Sequence, residues 1–502
     1  MELVLSVLGV GFLLELLLFL PFVWRHYYAQ VLFCVVATGC IAFGTVGLLV
    51  VSFNVASFCI LLLSLYRCVN LLRVIEGRMN LKYMHNVVFR TTVSLAFLQI
   101  LVLLLWLAVD YFAITEKTWL WLVVGVQLGA GVVLLISTMR RLRHTKITHK
   151  DVTVTSSELP NVTVAIPARN ETDDLYDCLV SLLKNDYPKL EILVLDDCSQ
   201  LRRTPEIIRE FAHAGVRFVK GDIPKDGWLA KNQAYDKLLR EASGEIILFC
   251  GVDVRFKPDS IRQIILTMLS RDKRMVSVLP LRQEQDKFSY NNIQAARYFW
   301  ELAPPRRLFH RPPVLSTCWA IYRSDALKLG GFAAVSRAII PETYFARQVL
   351  KRDGYSFLRA DGRLSLASVK NPITQRNTAV RTRYPQLHRR PETVSVITFV
   401  GLISFITPYA LIILSLLGSI EWHFAIVAFV SIILCNTAFT LIASATKVMN
   451  TYLALFSFLP IVCIDIVLTH YSLYKYEFSE VVWKGRNICL PVMHVIPHLP
   501  KL

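Results

Sequence analysis

The chain has 502 residues, of which 54% are hydrophobic and 18% charged, with a mean hydropathy of +0.47. Soluble domains run at roughly 45–50% apolar and 25% charged, so the balance excludes a disordered or collagen-like chain and points to a membrane protein. Lys+Arg 55 against Asp+Glu 37 gives a net charge of +18; cationic loops facing an anionic cytoplasmic leaflet account for that excess, and no nucleic-acid partner is expected.

In chain order, five apolar stretches come first, at 2–24, 30–50, 51–72, 87–112 and 118–138. Each is near the roughly 20 residues that span a bilayer. Residues 31–66 form one unbroken apolar run, and its turn is expected at Ser52-Phe53-Asn54 or between Gly44 and Gly47. Met1-Glu2 lacks the basic residues of a secretory leader, and the run to Val23 is long for one, so cleavage is not expected. From about 140 to 390 the chain turns polar; apolar stretches follow at 393–418, 423–446 and 450–472, then a polar tail. The expected domains are 1–140 and 391–475 in the membrane, 141–390 as a polar domain between them, and 476–502 as an interfacial tail.

Basic residues mark the cytoplasmic side. Arg140, Arg141 and Arg143 precede the polar domain, and Arg381, Arg383, Arg389 and Arg390 end it, so the domain is expected in the cytosol. Arg25 and a loop with Arg67, Arg73, Arg78 and Lys82 read as inside, Asp110 and Glu116 as outside. Three C-terminal crossings would put the tail outside, although Trp483-Lys484-Gly485-Arg486 reads as a cytoplasmic interface segment. One placement must give way, and the stretch interrupted by Pro408 is the expected re-entrant one. The 11 cysteines have no C-x-x-C spacing, which argues against a disulfide framework or zinc site.

Within the polar domain, short β-rich runs at 161–165, 191–195, 216–219 and 245–249 alternate with helical spacings at 173–185, 204–212 and 231–243. Strand–helix alternation predicts a parallel α/β sheet that binds ligands at its strand C-termini. Asp196-Asp197 and Asp253 fall there. Such a carboxylate holds Mg²⁺ or Mn²⁺ against a diphosphate, accepts hydrogen bonds from a base or ribose, or caps a turn.

Val164-Ala165-Ile166-Pro167-Ala168-Arg169-Asn170-Glu171, followed by Asp196-Asp197-Cys198-Ser199, resembles the opening of the family 2 glycosyltransferases, whose fold is GT-A, a Rossmann-like mixed α/β sheet that binds nucleotide sugars. Gly227-Trp228-Leu229-Ala230-Lys231-Asn232 resembles the Gly-Trp-x-x-Lys loop of the members that glycosylate ceramide, hopanoids and carotenoids. Gly244 to Phe249, leading to Asp253, looks like the strand before the D-x-D motif, and Arg323 to Phe332 like the segment before the catalytic acid. The likeness covers about 160–385.

It implies a catalytic domain between membrane helices that inverts the sugar's anomeric centre. It also assigns roles: Glu342 as base; Pro167, Arg169, Asn170, Asp196, Asp197, Lys231 and Arg383 at the donor nucleotide sugar; Trp228, Trp300 and Tyr384 at the acceptor or interface; Asp253 on a divalent metal, Mg²⁺ or Mn²⁺. Three departures accompany it. Gly251 replaces the first Asp of D-x-D, Pro341-Glu342 replaces Glu-Asp, and Val380 to Tyr384 keeps only the Arg of Q-x-x-R-W.

A carboxylate held among Ile339, Ile340, Tyr344 and Phe345 suits proton abstraction from an acceptor hydroxyl; a helix-start acid after Pro341 is the structural alternative. Ala295–Pro313 mixes Tyr298, Phe299, Trp300, Leu302, Leu308 and Phe309 with Arg297, Arg306, Arg307, His310 and Arg311. That composition fits either a membrane-surface entrance for a lipid acceptor or a core helix with a proline-rich loop. The resulting reading is a glycosyltransferase with a nucleotide-diphosphate sugar donor and a lipid acceptor. Its alternatives are a processive polysaccharide synthase and an inactive membrane scaffold. Only Glu15 and Asp465 stand as charges well inside the apolar stretches, which counts against a transporter.

Overall fold

The apolar stretches fold as helices in the computed structural model, which describes residues 2–52, 55–76, 81–111, 116–147, 157–282, 293–305, 312–362 and 364–489. Among the described residues, seven helices are long and apolar enough to cross a membrane: Tyr27–Val51, Ala56–Glu76, His85–Leu105 and Lys117–His144 before the polar domain, and Pro391–Leu416, Trp422–Thr446 and Thr451–Phe478 after it. The chain is thus built as a multi-pass membrane protein. Tyr27–Val51 ends beside Ser52, within the expected turn.

The first stretch differs from expectation. It forms a helix of only 16 residues, Glu2–Leu17, about 24 Å at 1.5 Å per residue. Pro21, with no N–H to give, starts a separate short helix to Arg25.

Arg67 and Arg73 also lie elsewhere than expected, inside the helix Val55–Glu76 rather than in a loop. Both are buried against carboxylates. Arg67 donates to Glu15 at 2.8 and 2.5 Å and to Gln99 at 2.7 Å, while Thr92 donates to the other Glu15 oxygen at 2.8 Å. Arg73 donates to Glu477 at 2.8 Å. An arginine survives in an apolar layer only when its charge and its donors are matched in this way. Arg78 and the side chains of Lys82, Asp110 and Glu116 lie outside the described residues.

The C-terminal helices differ from the expected re-entrant stretch. Pro391–Leu416 runs through Pro408 without turning back, because a π-helical turn at Leu402–Ile406 takes up the missing hydrogen bond. The unusual helix is Thr451–Phe478. It lies along the polar domain: Phe458 packs on Phe299 with ring centroids 5.3 Å apart, Asp465 accepts from Trp300 at 2.8 Å, and the Tyr476 hydroxyl donates to the Arg381 carbonyl at 2.8 Å. The helix before it ends where the Ala445 carbonyl meets Arg359. Thr451–Phe478 thus touches the polar domain along its length, and the tail after it returns to that domain, where Arg486 meets Asp197.

The domain is built on a seven-stranded sheet. Its strands are β1 Val162–Ala168, β2 Leu190–Asp196, β3 Val216–Lys220, β4 Ile246–Cys250, β6 Met275–Leu279, β8 Cys318–Tyr322 and β9 Tyr355–Arg359, in the order β3-β2-β1-β4-β8-β6-β9. β1 to β4 run parallel, and β8 is antiparallel to both neighbours. The sheet is mixed, as expected. A small sheet of β5 Val254–Phe256, β7 Leu281–Arg282 and β10 Leu366–Ser368 hangs below it. The tail ends in a hairpin of β11 Val482–Trp483 and β12 Arg486–Asn487.

Candidate active site

β1, β2 and β4 end on one edge, which gathers the acidic loops. Asp196 accepts from the Ser199 amide at 3.1 Å, so it closes the turn after β2. Asn170 has positive φ (49°) and accepts from the amides of Gln200 and Leu201 at 2.8 and 3.3 Å; asparagine tolerates that backbone region better than most residues. Its side chain thus binds the neighbouring loop. Arg169 donates to the carbonyls of Asp197 and Cys198 at 2.7 and 2.5 Å. Pro167 lies opposite Leu195 in the β1–β2 register.

The tail hairpin reaches this edge. Arg486 donates to the Asp197 carboxylate at 2.6 Å, Lys484 pairs with Glu171 at 2.7 Å, and the Lys484 carbonyl accepts from Arg169 at 3.0 Å. Burial raises the Asp197 carboxyl above the usual aspartate range, against the pull of Arg486 and Arg169. Sequence reasoning did not assign Lys484 or Arg486 to the site.

Across the cleft, the 227–232 loop is fastened to the chain that leads into Glu342. Gly227 takes φ +77°, a region glycine enters freely. Asn232, fully buried, donates to the carbonyls of Val335, Ser336 and Ala338 at 2.8, 3.0 and 2.8 Å. Half-buried Trp228 packs on the core beneath.

Glu342 begins the helix Glu342–Leu350 and is fully buried. Stacked rings of Phe249, Trp319 and Phe345 lie beneath this part of the cleft. Lys231 lies within the field of Glu342. Burial brings the Lys231 pKa down to about 8, and Glu342 opposes the shift.

Asp253 stands between Gly251 and β10. Its Oδ2 accepts from Ser368 at 2.8 Å and meets Lys370 at 3.4 Å. A Cβ at position 251 would come within 2.7 Å of its Oδ1, so glycine leaves that oxygen open space an aspartate would take away. Among the described residues no three His, Cys, Asp or Glu side chains are grouped to hold a metal ion. Mg²⁺ needs only one or two carboxylates when substrate phosphates supply the rest, and Asp253 fits that arrangement.

Arg383 and Tyr384 have their partners outside this centre, while Arg383 also lines a small cavity with Arg297 and Lys370. Arg383 pairs with Asp465, beside Trp300. Tyr384 is buried against Tyr476, ring centroids 6.2 Å apart. Arg381 is the arginine of that helix, Pro372–Gln386, within the fields of Asp253 and Glu342. Two residues along a helix turn through about 200°, so Arg381 and Arg383 face opposite ways. The helix Ile293–Leu302 buries Tyr298 and Phe299 as core residues; residues 306–311, with Arg306, Arg307, Leu308, Phe309, His310 and Arg311, lie outside the described residues.

A mixed sheet that begins with four parallel strands and gathers its acidic loops on one edge is the GT-A arrangement of nucleotide-sugar-dependent glycosyltransferases. Residues 163–330 match the model of "Glycosyl transferase family 2". It is similar to the probable glycosyltransferase YdaM of Bacillus subtilis, 29% identical over 184 residues, 35% of this chain and 43% of that one. It is also similar to an N-acetylglucosaminyltransferase of Sinorhizobium fredii, 32% identical over 113 residues, 22% of this chain and 27% of that one. The chain thus spans less than half the length of these curated relatives. Among solved structures it is similar to the mannosyltransferase PcManGT of Pyrobaculum calidifontis in complex with GDP-Man and Mn²⁺. There the TM-score is 0.44 and the identity 16%, over 71% of this chain and 97% of that one.

Proposed function

We propose that the protein is an inverting glycosyltransferase that moves a sugar from a nucleotide-diphosphate sugar to a hydroxyl of a lipid acceptor at the cytoplasmic membrane surface. The observation that carries this reading is the fully buried carboxylate of Glu342 at the start of its helix, near enough to Lys231 to act on its charge. Glu342 takes the acceptor hydroxyl proton as that oxygen bonds to the anomeric carbon. The bond from that carbon to the diphosphate breaks, and its electron pair leaves with the nucleoside diphosphate. Lys231 offsets the charge gained there. The aromatic floor excludes water, which would otherwise compete for the sugar. Asp253 would hold a divalent ion, Mg²⁺ or Mn²⁺, which when bound supplies Lewis-acid stabilisation.

The lipid acceptor is supported by Thr451–Phe478, an apolar helix laid along the domain. A cavity of about 70 Å³ there is lined by Arg141, Trp300, Arg383 and Asp465 among others. The test is to supply membranes containing the protein with labelled nucleotide sugars and extract the lipids. A new labelled glycolipid, absent with Glu342→Gln, is expected. Label found only in polymer would favour a processive synthase, and no label in either fraction would overturn the reading.

A further inference from the structure

The spanning helix Lys117–His144 ends in a cluster of positive charge. From Trp119 to Met139 it carries no charged residue, a stretch of about the 20 residues that cross the hydrocarbon layer. Val132, Val133, Ile136 and Met139 are exposed, so an uncovered apolar face runs up to Met139. Arg140, Arg141, Arg143 and His144 follow within about two turns, at the depth of the lipid headgroups. Arg141 also lines the cavity beside Asp465 and Thr469 of Thr451–Phe478, which ties this level to the membrane helices.

The same residues border an open cleft of about 670 Å³, which Arg141, Arg143 and His144 line together with Arg271, Lys273 and Ser356. Arg271 is fixed there by neutral oxygens: it donates to the carbonyls of His144 and Lys146 at 3.3 and 2.8 Å and to the Ser356 hydroxyl at 3.3 Å. Those bonds orient the guanidinium and leave its charge unbalanced. Lys273 meets Asp353 at 3.2 Å, but that carboxylate is 92% exposed, and water weakens such a pair. Among the described residues that line the cleft, none is acidic.

The cleft stands apart from the catalytic edge. β9 is an outermost strand of the large sheet. β6 and β9 run in the direction of β4, because β8 is antiparallel to both β4 and β6, and β9 is parallel to β6. Arg271 and Lys273 come just before β6, and Ser356 is near the start of β9. The cleft therefore lies by strand N-termini, whereas the acidic loops follow strand C-termini.

We propose that this cleft binds the phosphate of an anionic phospholipid from the surrounding membrane, through Arg271, Lys273 and Arg143. Guanidinium and ammonium groups hold phosphate oxygens by charge-assisted hydrogen bonds, and basic pockets beside membrane helices take phospholipid headgroups. The exposed face that ends at Met139 offers the acyl chains a path continuous with the cleft, which a free phosphate would not use. The site does not depend on the donor reading.

The test titrates the full-length protein in a neutral detergent, by calorimetry, with dioctanoyl phosphatidylglycerol, dioctanoyl phosphatidylcholine and sodium phosphate in turn. Phosphatidylglycerol is expected to bind at least about tenfold more tightly than either of the others. Arg271→Gln, Lys273→Gln and Arg143→Gln should each weaken it about fivefold, while Lys220→Gln, on the opposite edge strand β3, should leave it unchanged. Thermal unfolding of each variant checks the fold, and exposed Arg143 carries the test should Arg271→Gln fail to fold. Equal binding of the two lipids would overturn the site, as would folded cleft variants that bind like wild type. A loss with Lys220→Gln as large as theirs would reduce the effect to net charge and overturn it too. Sodium phosphate that binds as tightly as phosphatidylglycerol, and is lost in the same variants, would overturn the lipid in favour of free phosphate.

Discussion

Replacing Glu342 by glutamine keeps the size and hydrogen-bonding capacity of the side chain and removes its ability to take a proton. The residue is 0% exposed and opens the helix Glu342–Leu350, so two roles compete: general base and helix-start acid. General-base help is worth about 10²–10⁴-fold, or roughly 3–5 kcal/mol of barrier. A helix-start acid contributes about 0.3–1 kcal/mol, a melting shift of at most about 2–4 °C in a domain of 150–250 residues. Glu342→Gln should therefore lose transfer by about two to four orders of magnitude while still binding nucleoside diphosphate. Glu342→Asp should recover little, since the shorter chain withdraws the carboxylate by about one bond length. The assay is single-turnover transfer from labelled donor, with thermal unfolding on the same preparation. Near-wild-type turnover with a slightly lowered melting temperature would refute the base assignment. Asp325 and Asp353 are poor substitutes, because Arg274 and Lys273 pair with them at 2.5 and 3.2 Å.

Lys231, whose pKa is about 8 against an ordinary 10.5, is charged below that value and neutral above it, so donor affinity should fall as pH rises through about 8; Lys231→Met should flatten that limb of the pH profile. The Asp253→Asn variant should lose whatever increment in turnover Mn²⁺ adds, and an unchanged increment would remove Asp253 from the metal. Arg67→Met strands Glu15 in the apolar layer and should cost about 3–5 kcal/mol, read as a lower melting temperature in detergent, whereas adding Glu15→Gln should recover most of it. An impermeant thiol reagent applied to intact cells should miss half-buried Cys198 until the membrane is opened; Cys178 is buried and reports nothing either way.

Much of the polar domain was legible in the sequence because strand alternation and helical spacing are local. The runs at 161–165, 191–195, 216–219 and 245–249 fall on β1 to β4 within a few residues. The acids at their ends lie at the sheet's edge because strand direction puts them there. The Gly227–Asn232 loop could be read as a unit, but not its attachment to Val335, Ser336 and Ala338, which depends on contacts across more than a hundred positions. Lys370 escaped notice for the same reason: it meets Asp253 from 117 residues away, a separation no local pattern records.

The membrane region divides along a similar line. Apolar composition and length determined that helices would form at each stretch, since an unpaired backbone is costly away from water. Hydropathy averages hid the pairing of Glu15 with Arg67, because the partners lie on different helices and a charge reads as exposed until its counter-charge is placed beside it. Nor could composition show that Thr451–Phe478 runs along the catalytic domain. Hydropathy reports that a segment avoids water, and protein and lipid satisfy that demand equally; only the packing of Phe458, Asp465 and Tyr476 against Phe299, Trp300 and Arg381 decided that one face of this helix meets the catalytic domain.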